Sequence, residues 1–280
     1  MIPALRANVE FLADIALAEQ DSDSLHVWWL GQSGFLCSWN GHRIVLDPYL
    51  SDSLTLKYAN TDKPHVRLSE CVVEPSMLDG VVAVASSHMH TDHCDAQTLH
   101  PLFGTNPNAR LVCPDANTSA VAERIGWSGD DPRLAGVRDG TGVDIGPARF
   151  EGIPAAHDEI GPGCLGFLIN LGPFRIHHTG DTIPYPGMAE RVRPFKPDVS
   201  MVPINGRRPE RRVAGNLFGD EAARLAKVIG ARFAIPCHFD MFAFNTESPE
   251  MFVTTCHEIG QEHRVLAGGE RLTISASGRV

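Results

Sequence analysis

Between Ser86 and Asp95 the chain reads SSHMHTDHCD, with three histidines and two aspartates in the eight residues from His88 to Asp95. Imidazole nitrogen and carboxylate oxygen are donors that suit Zn²⁺, Mn²⁺ or Fe²⁺. In His88-x-His90-x-Asp92-His93, alternate residues of an extended loop point to one side, so His88 and His90 can share one ion. Asp92 and His93 can then turn toward a second. One loop cannot complete such a site, and three further candidates each end an apolar run: His157 in GIPAAHDE, Asp181 in HHTGDT and His238 in AIPCHFD. A lone histidine in such a place is more often structural. Three of these residues in company with the cluster are far less readily a coincidence.

The elements that must carry these residues can be read around them. GVVAVASS is a near-continuous apolar run of strand length, as in a strand buried on both faces, and it leads straight into the histidine cluster. The carboxyl ends of such strands are where α/β sheets place their sites. Upstream, residues 4–18 set Leu5, Val9, Leu12 and Ala16 at helical spacing and predict an amphipathic helix packed on the body of the protein. HVWWLG, GFLCSW and RIVLDP are short strands, the last two joined by the hairpin signal NGH. Downstream, ARLVCP predicts a strand and NTSAVAERIGW a helix capped by Asn117 or Thr118. VDIGPARFEGIPA and CLGFLINLGPFRIHHTGD read as hairpins. PDVSMVPI and ARFAIPCHF are buried strands bracketing the helix GDEAARLAKVIG; the helix SPEMFVTTCHEIG and the strand RLTIS follow. Strands first, then strands alternating with helices, predict an α/β protein with two packed sheets and helices outside, a four-layer αββα sandwich. No repeat or low-complexity linker divides the chain, so residues 1–280 are expected to form a single domain.

Composition narrows the function. A formal charge of −10 disfavours nucleic acid and anionic membranes as partners. Seven cysteines, odd in number and never spaced Cys-x-x-Cys, speak against a disulfide framework or a thiolate zinc knot and suit a reducing cytoplasm. The N-terminal segment is interrupted by Glu10 and Asp14 and does not read as a signal peptide, and no apolar run reaches the roughly 20 residues of a membrane span. A cytoplasmic protein is expected, with self-association left open.

The order His88-x-His90-x-Asp92-His93, then His157, Asp181 and His238, resembles the metallo-β-lactamase superfamily of metal-dependent hydrolases over about residues 47 to 240. The resemblance implies the metallo-β-lactamase fold and two divalent cations. His88, His90 and His157 would hold one, Asp92, His93 and His238 the other, and Asp181 would bridge them. Asp47 of VLDP matches the superfamily's first motif and would order the ligand loop, with His178 also behind the ligands. Such a set leaves positions open for water, and two cations can hold a bridging hydroxide near neutral pH. Asp92 could orient that nucleophile or shuttle its proton, which makes it the catalytic candidate. The implied reaction is hydrolysis of an ester, lactone, amide, thioester or phosphoester. Redox chemistry at a related di-iron site would need a flavin domain for which the chain shows no motif, and a non-catalytic metal-binding protein would have no use for the full ligand set.

HVWWLGQSGF, VPINGRRPERR and GNLFGDEAARLAKVIGARFAIPCHFDMFAFN are similar to the L-ascorbate-6-phosphate lactonase-like branch, which opens sugar-acid lactones with a divalent metal, often Mn²⁺. That likeness implies zinc or manganese as cofactor and a small anionic substrate, with or without a phosphate. Arg207, Arg208, Arg211 and Arg212 could receive its phosphate or carboxylate, the first two foremost, unless they form a solvated loop. Asn205 and Gln32 could hydrogen-bond a polyol or simply tie down loops. A phosphodiesterase or nuclease of the same fold is the alternative, and the acidic charge disfavours it. Residues 51–80 could form a lid or a subunit contact.

Overall fold

A computed structural model describes residues 1–157 and 159–276. The chain begins with α1 (Asn8–Ala18), then β1 (Ser24–Gly31), β2 (Gly34–Trp39), β3 (His42–Leu46), α2 (Ser53–Tyr58) and β4 (Val81–Ala85). Next come α3 (Ala96–Thr105), β5 (Arg110–Pro114), α4 (Thr118–Ile125), β6 (Leu134–Val137), β7 (Gly142–Ile145), β8 (Ala148–Ala156), β9 (Ile160–Leu171) and β10 (Phe174–His178). The last part comprises α5 (Met188–Val192), β11 (Val199–Pro203), α6 (Gly219–Val228), β12 (Phe233–Cys237), α7 (Glu250–Ile259) and β13 (Arg271–Ser275).

Two mixed sheets result. The first has the order β13-β1-β2-β3-β4-β5-β6 and the second β12-β11-β10-β9-β8-β7. Each is antiparallel at one end and parallel at the other, and β3–β4–β5–β6 and β10–β11–β12 are the parallel parts. Alternation along β1 shows how the layers close. Leu25, Val27 and Trp29 join Phe150, Phe167 and Ile169 in the core between the sheets, whereas Trp28 and Leu30 point outward under α1, α3 and α4. On the far side, Ala222, Ala223 and Ala226 of α6 and Phe252 of α7 cover the second sheet. The helix–sheet–sheet–helix order is the expected sandwich. Asn40 and Gly41 turn the β2–β3 hairpin with φ of +49° and +74°, the left-handed pair such a tight turn requires.

The N-terminal helix departs from its expected face. It starts at Asn8, not residue 4, and Leu5, Val9 and Ala16 are exposed. Phe11, Asp14, Ile15 and Ala18 form the buried stripe instead, because Asp14 accepts a hydrogen bond from the Trp28 indole at 2.8 Å and so pays for its own burial. Neither expected side chain caps α4; Asn117 instead donates to the Gly163 carbonyl at 2.8 Å. Residues 51–80 are pinned in several places. Arg67 donates to the carbonyls of Ser69 (2.8 Å) and Ser51 (2.7 Å), and its backbone bridges to Phe242. Among the described residues no helix is long and apolar enough to cross a membrane.

Candidate metal centre

Every candidate donor hangs from the carboxyl end of a strand. β3 and β4 run parallel, so Asp47, just past β3, lies beside Ser87, just past β4. Its carboxylate accepts from Ser87 N at 2.7 Å, Ser87 Oγ at 2.6 Å and His93 Nδ1 at 2.7 Å. Ser87 Oγ in turn lies 3.0 Å from His88 Nδ1. Both imidazoles are therefore engaged through Nδ1 and offer Nε2 forward. The loop is not extended throughout, since His93 and Cys94 donate to the His90 carbonyl in a helical turn. Asp95 leaves the donor group altogether by capping α3, accepting from Gln97 N and Thr98 N.

The distant residues meet this loop. His157, following β8, puts its Nε2 3.1 Å from His90 Nδ1. Asp181 follows β10 through Gly180, whose φ is +60° and whose missing Cβ leaves room against the Leu165 carbonyl and Ser87. The Asp181 carboxylate lies 3.3 Å from His93 Nε2, 3.2 Å from His238 Nε2 and 3.8 Å from His157 Nε2. Asp92 Oδ2 is 3.5 Å from His238 Nε2 and 3.6 Å from His93 Nε2. Three trios thus bring their donor atoms within 4.8 Å of one another: His88, His90 and His157; His88, His93 and Asp181; Asp92, His93 and His238. Gln32, Asp47 and His238 all adopt left-handed φ (+50°, +40° and +60°), a strain concentrated at this site.

Charge balance explains the titration of the cluster. Burial favours the neutral form of each group, yet the charges of His238 and His93 hold the Asp181 carboxyl well below the usual range. Against the same opposition from burial, Asp181, Asp47 and Asp92 push His93 well up, and Asp181 and Asp92 raise His238 to about 9. Burial and the neighbouring His93 charge push His88 well down. Buried carboxylates here demand positive charge, which protons or cations can supply. The fit to cations is tested by the nitrogens left over: His88 Nε2 and His93 Nε2 are buried without a hydrogen-bond partner, and His90 and His157 turn ring nitrogens toward each other. A hydrogen-bonded structural cluster would satisfy those atoms. Five imidazoles and two carboxylates so directed suit divalent ions of the zinc or manganese type.

The remaining candidates fall elsewhere. His178 sits behind the loop, its Nε2 donating to the Ser33 carbonyl at 3.0 Å. Gln32 lies between the donors and the β1–β2 turn, donating to Asp92 Oδ2 at 2.8 Å, with its backbone carbonyl accepting from His238 N. Asn205 is fully buried and occupied by Asn216 (2.9 Å) and Asn245 (3.0 Å), so no polyol reaches it. Arg207 is held bidentately by Glu221 at 2.6 and 2.7 Å, and Arg208 pairs with Glu247. Arg211 and Arg212 pair with Glu247 and Asp62. None of these four arginines lines the cleft over the donors; three carboxylates, Glu221, Glu247 and Asp62, hold them in ion pairs instead.

A cleft of 520 Å³ opens over the donors and is lined by His90, Asp92, His157, Asp181 and His238. Its other lining includes Lys57, Tyr58, Lys63, His65, Arg124, Phe242 and Phe244, none of which the sequence singled out. Alternate aromatics in FDMFAFN, just after His238, were a usable signal. For Arg124 there was none, because an arginine on an amphipathic helix is ordinary. Its Nη1 donates to the carbonyls of Met89 and Cys94 (3.2 Å to the latter), and it has no carboxylate partner among the described residues.

Comparison with known proteins bears on the fold. The family described as Beta-lactamase superfamily domain matches residues 42–239. A UPF0173 metal-dependent hydrolase of Aeropyrum pernix is 27% identical over 255 residues, spanning 86% of this chain and 94% of the relative. A metallo hydrolase from Ignicoccus hospitalis superposes with a TM-score of 0.66 at 19% identity, over 90% of this chain and 99% of its own. An isothiocyanate hydrolase from Delia radicum gut bacteria gives 0.72 at 15% identity, over 90% and 100%. These structures share the metallo-β-lactamase fold with this chain.

Proposed function

This chain belongs to the beta-lactamase superfamily, and we propose that it is a metal-dependent hydrolase that holds two divalent cations, zinc or manganese, and opens a lactone or related ester of a small anionic acid. The observation that carries the reading is the position of Asp181, whose carboxylate lies between the His157 side and the His93–His238 side of the cluster. His88, His90 and His157 would hold one ion, Asp92, His93 and His238 the other, with Asp181 shared. Bound there, two cations would ionise water near neutral pH and polarise an ester carbonyl.

The chain's own groups supply the rest. Asp47 and Ser87 fix the rings of His93 and His88 through Nδ1, so that Nε2 is presented in one orientation. Gln32 holds one oxygen of Asp92, and the other would take and return a proton during ester cleavage. The substrate's anion is assigned to Arg124 and Lys57 on the cleft wall, since Arg207 and Arg208 are neutralised elsewhere. A phosphorylated sugar-acid lactone such as L-ascorbate 6-phosphate belongs to this substrate class. Seven free cysteines, five of them buried, suit a reducing cytoplasm.

The test is metal content of wild type and Asp181→Ala after reconstitution, followed by a turnover screen. A sugar-acid lactone, its phosphorylated form and bis-nitrophenyl phosphate would be offered with Zn²⁺ or Mn²⁺. Two ions per chain, fewer in the variant, and lactone opening are expected. Phosphodiester turnover alone would move the protein to nuclease-like chemistry, and stable metal binding without any turnover would leave a metal-binding protein.

A further inference from the structure

Besides the donors, the cleft is lined by a cluster of aromatic rings. His65 stands at its centre, stacked on Tyr58 with centroids 4.3 Å apart and planes 21° apart. Phe242 and Phe244 meet the same ring edge-on at 5.0 and 4.6 Å. His65 Nδ1 lies 2.9 Å from the Lys63 carbonyl. A carbonyl only accepts, so Nδ1 carries the proton and the neutral ring keeps Nε2 as an acceptor. No described residue bonds that Nε2, and it is not among the buried unpartnered atoms. Burial lowers the His65 pKa and keeps the ring neutral near pH 7, and the ring is close enough to feel the Asp92 charge.

The wall is built in advance. Thr55 Oγ1 donates to the His65 carbonyl at 2.7 Å, and the bonds of Arg67 hold the same segment to Ser51 and Ser69. Phe242 is buried against Tyr49 and Leu54, which fixes its ring, while Tyr58 and Phe244 are only partly covered. Apolar surface left wet inside a cleft is stabilised when an apolar group covers it. Lys57, Lys63 and Arg124 line the same cleft, so an occupant can combine an apolar body with an anionic end.

We propose that Tyr58, His65, Phe242 and Phe244 form the substrate-selecting subsite of the cleft, taking a flat apolar group of the ester or lactone while His65 Nε2 accepts a hydrogen bond from a substrate hydroxyl or N–H. This deepens the hydrolase reading and rests on it for the reacting bond.

The test pairs turnover with binding on the metal-reconstituted full chain. Wild type is expected to favour dihydrocoumarin over γ-butyrolactone by at least about tenfold in kcat/KM, and to bind phenylacetate more tightly than acetate in ligand-observed NMR. Phe244→Ala and Tyr58→Ala should each reduce both preferences about fivefold or more with metal content intact. His65→Phe, which keeps a ring and removes the acceptor, should lower the preference for α-hydroxy-γ-butyrolactone over γ-butyrolactone. If wild type hydrolyses no lactone yet prefers phenylacetate, and Phe244→Ala loses that preference, the subsite stands and the lactone-opening reading falls. Equal binding of phenylacetate and acetate, or preferences unmoved in both alanine variants, overturns the subsite whatever the turnover. An unmoved hydroxyl preference in His65→Phe removes the acceptor role.

Discussion

The loop after β4 and the loop after β11 look alike in sequence: each follows a buried strand and each gathers like residues, histidines in one and arginines in the other. Their side chains behave in opposite ways. After β4, backing residues hold the His88 and His93 rings through Nδ1, and their buried Nε2 atoms are left for the site. After β11, each arginine pairs with a carboxylate, Arg208 and Arg211 sharing Glu247. A polar cluster that satisfies itself holds a loop; one that converges unsatisfied donors can hold something else.

The comparison breaks hardest at Asp181. Asp181→Ala leaves the Nε2 atoms of His93 and His238 without the carboxylate nearest both, and turnover should fall on the order of 10³-fold, as when a group acting directly on transition-state charge is lost. Atomic absorption on the dialysed variant should show fewer ions per chain. Full metal content with full activity would remove Asp181 from the site. Asp47 sharpens the same point one layer back. Asp47→Asn keeps the shape but weakens the hold on His93 and Ser87, and metal affinity should drop about 10- to 100-fold in a competition titration with a chelator.

Not every buried histidine belongs to the converging kind. His177, four residues before Asp181, is fully buried with Nδ1 2.8 Å from Ser200 Oγ, and burial lowers its pKa to about 3. The unfolded chain takes up that proton near pH 6.5 and the folded chain does not. Its contribution to stability is therefore whole above about pH 6.5 and is lost progressively as the pH falls toward 3. At pH 5 the loss should be about 2 kcal/mol relative to pH 7.5. Denaturant titrations of wild type and His177→Gln at both pH values would read it, because the variant should lack this share of the acid sensitivity. An identical pH dependence in the two proteins would rule out a neutral buried His177.

How much of this was legible in the sequence follows the range of the interactions. GVVAVASS, the Asn-Gly turn and the hairpins were readable because local pattern decides them, and with them the sandwich. The donor cluster was conspicuous because three histidines share one short loop. What escaped depends on partners far along the chain. The buried face of α1 turns on the Trp28 indole donating to Asp14, and the pairing of Arg207 and Arg208 turns on Glu221 and Glu247. Tyr58 and His65 of one segment and Arg124 of another join the cleft, and only the fold brings them together. Short elements such as α2 and β6 carry too few residues for a period to show.

The smallest effects separate the two kinds of arginine. Arg124 lines the cleft, and among the described residues only its Nη1 is engaged, by the Met89 and Cys94 carbonyls. A charged hydrogen bond to a substrate anion is worth about 1.5 kcal/mol or more, so Arg124→Gln should raise KM for an anionic lactone about tenfold. KM for an uncharged lactone should move much less. Arg207 is half-exposed, and its pair with Glu221 is screened by solvent; Arg207→Gln should cost only ~0.2–1 kcal/mol of stability. KM for both lactones should stay within about twofold of wild type, because the substituted side chain never reached the cleft. Were Arg207→Gln to raise KM selectively for the anionic substrate while Arg124→Gln did not, the β11 loop would have to open from Glu221 during turnover. The distinction between self-satisfied and converging clusters would then hold only for the resting protein.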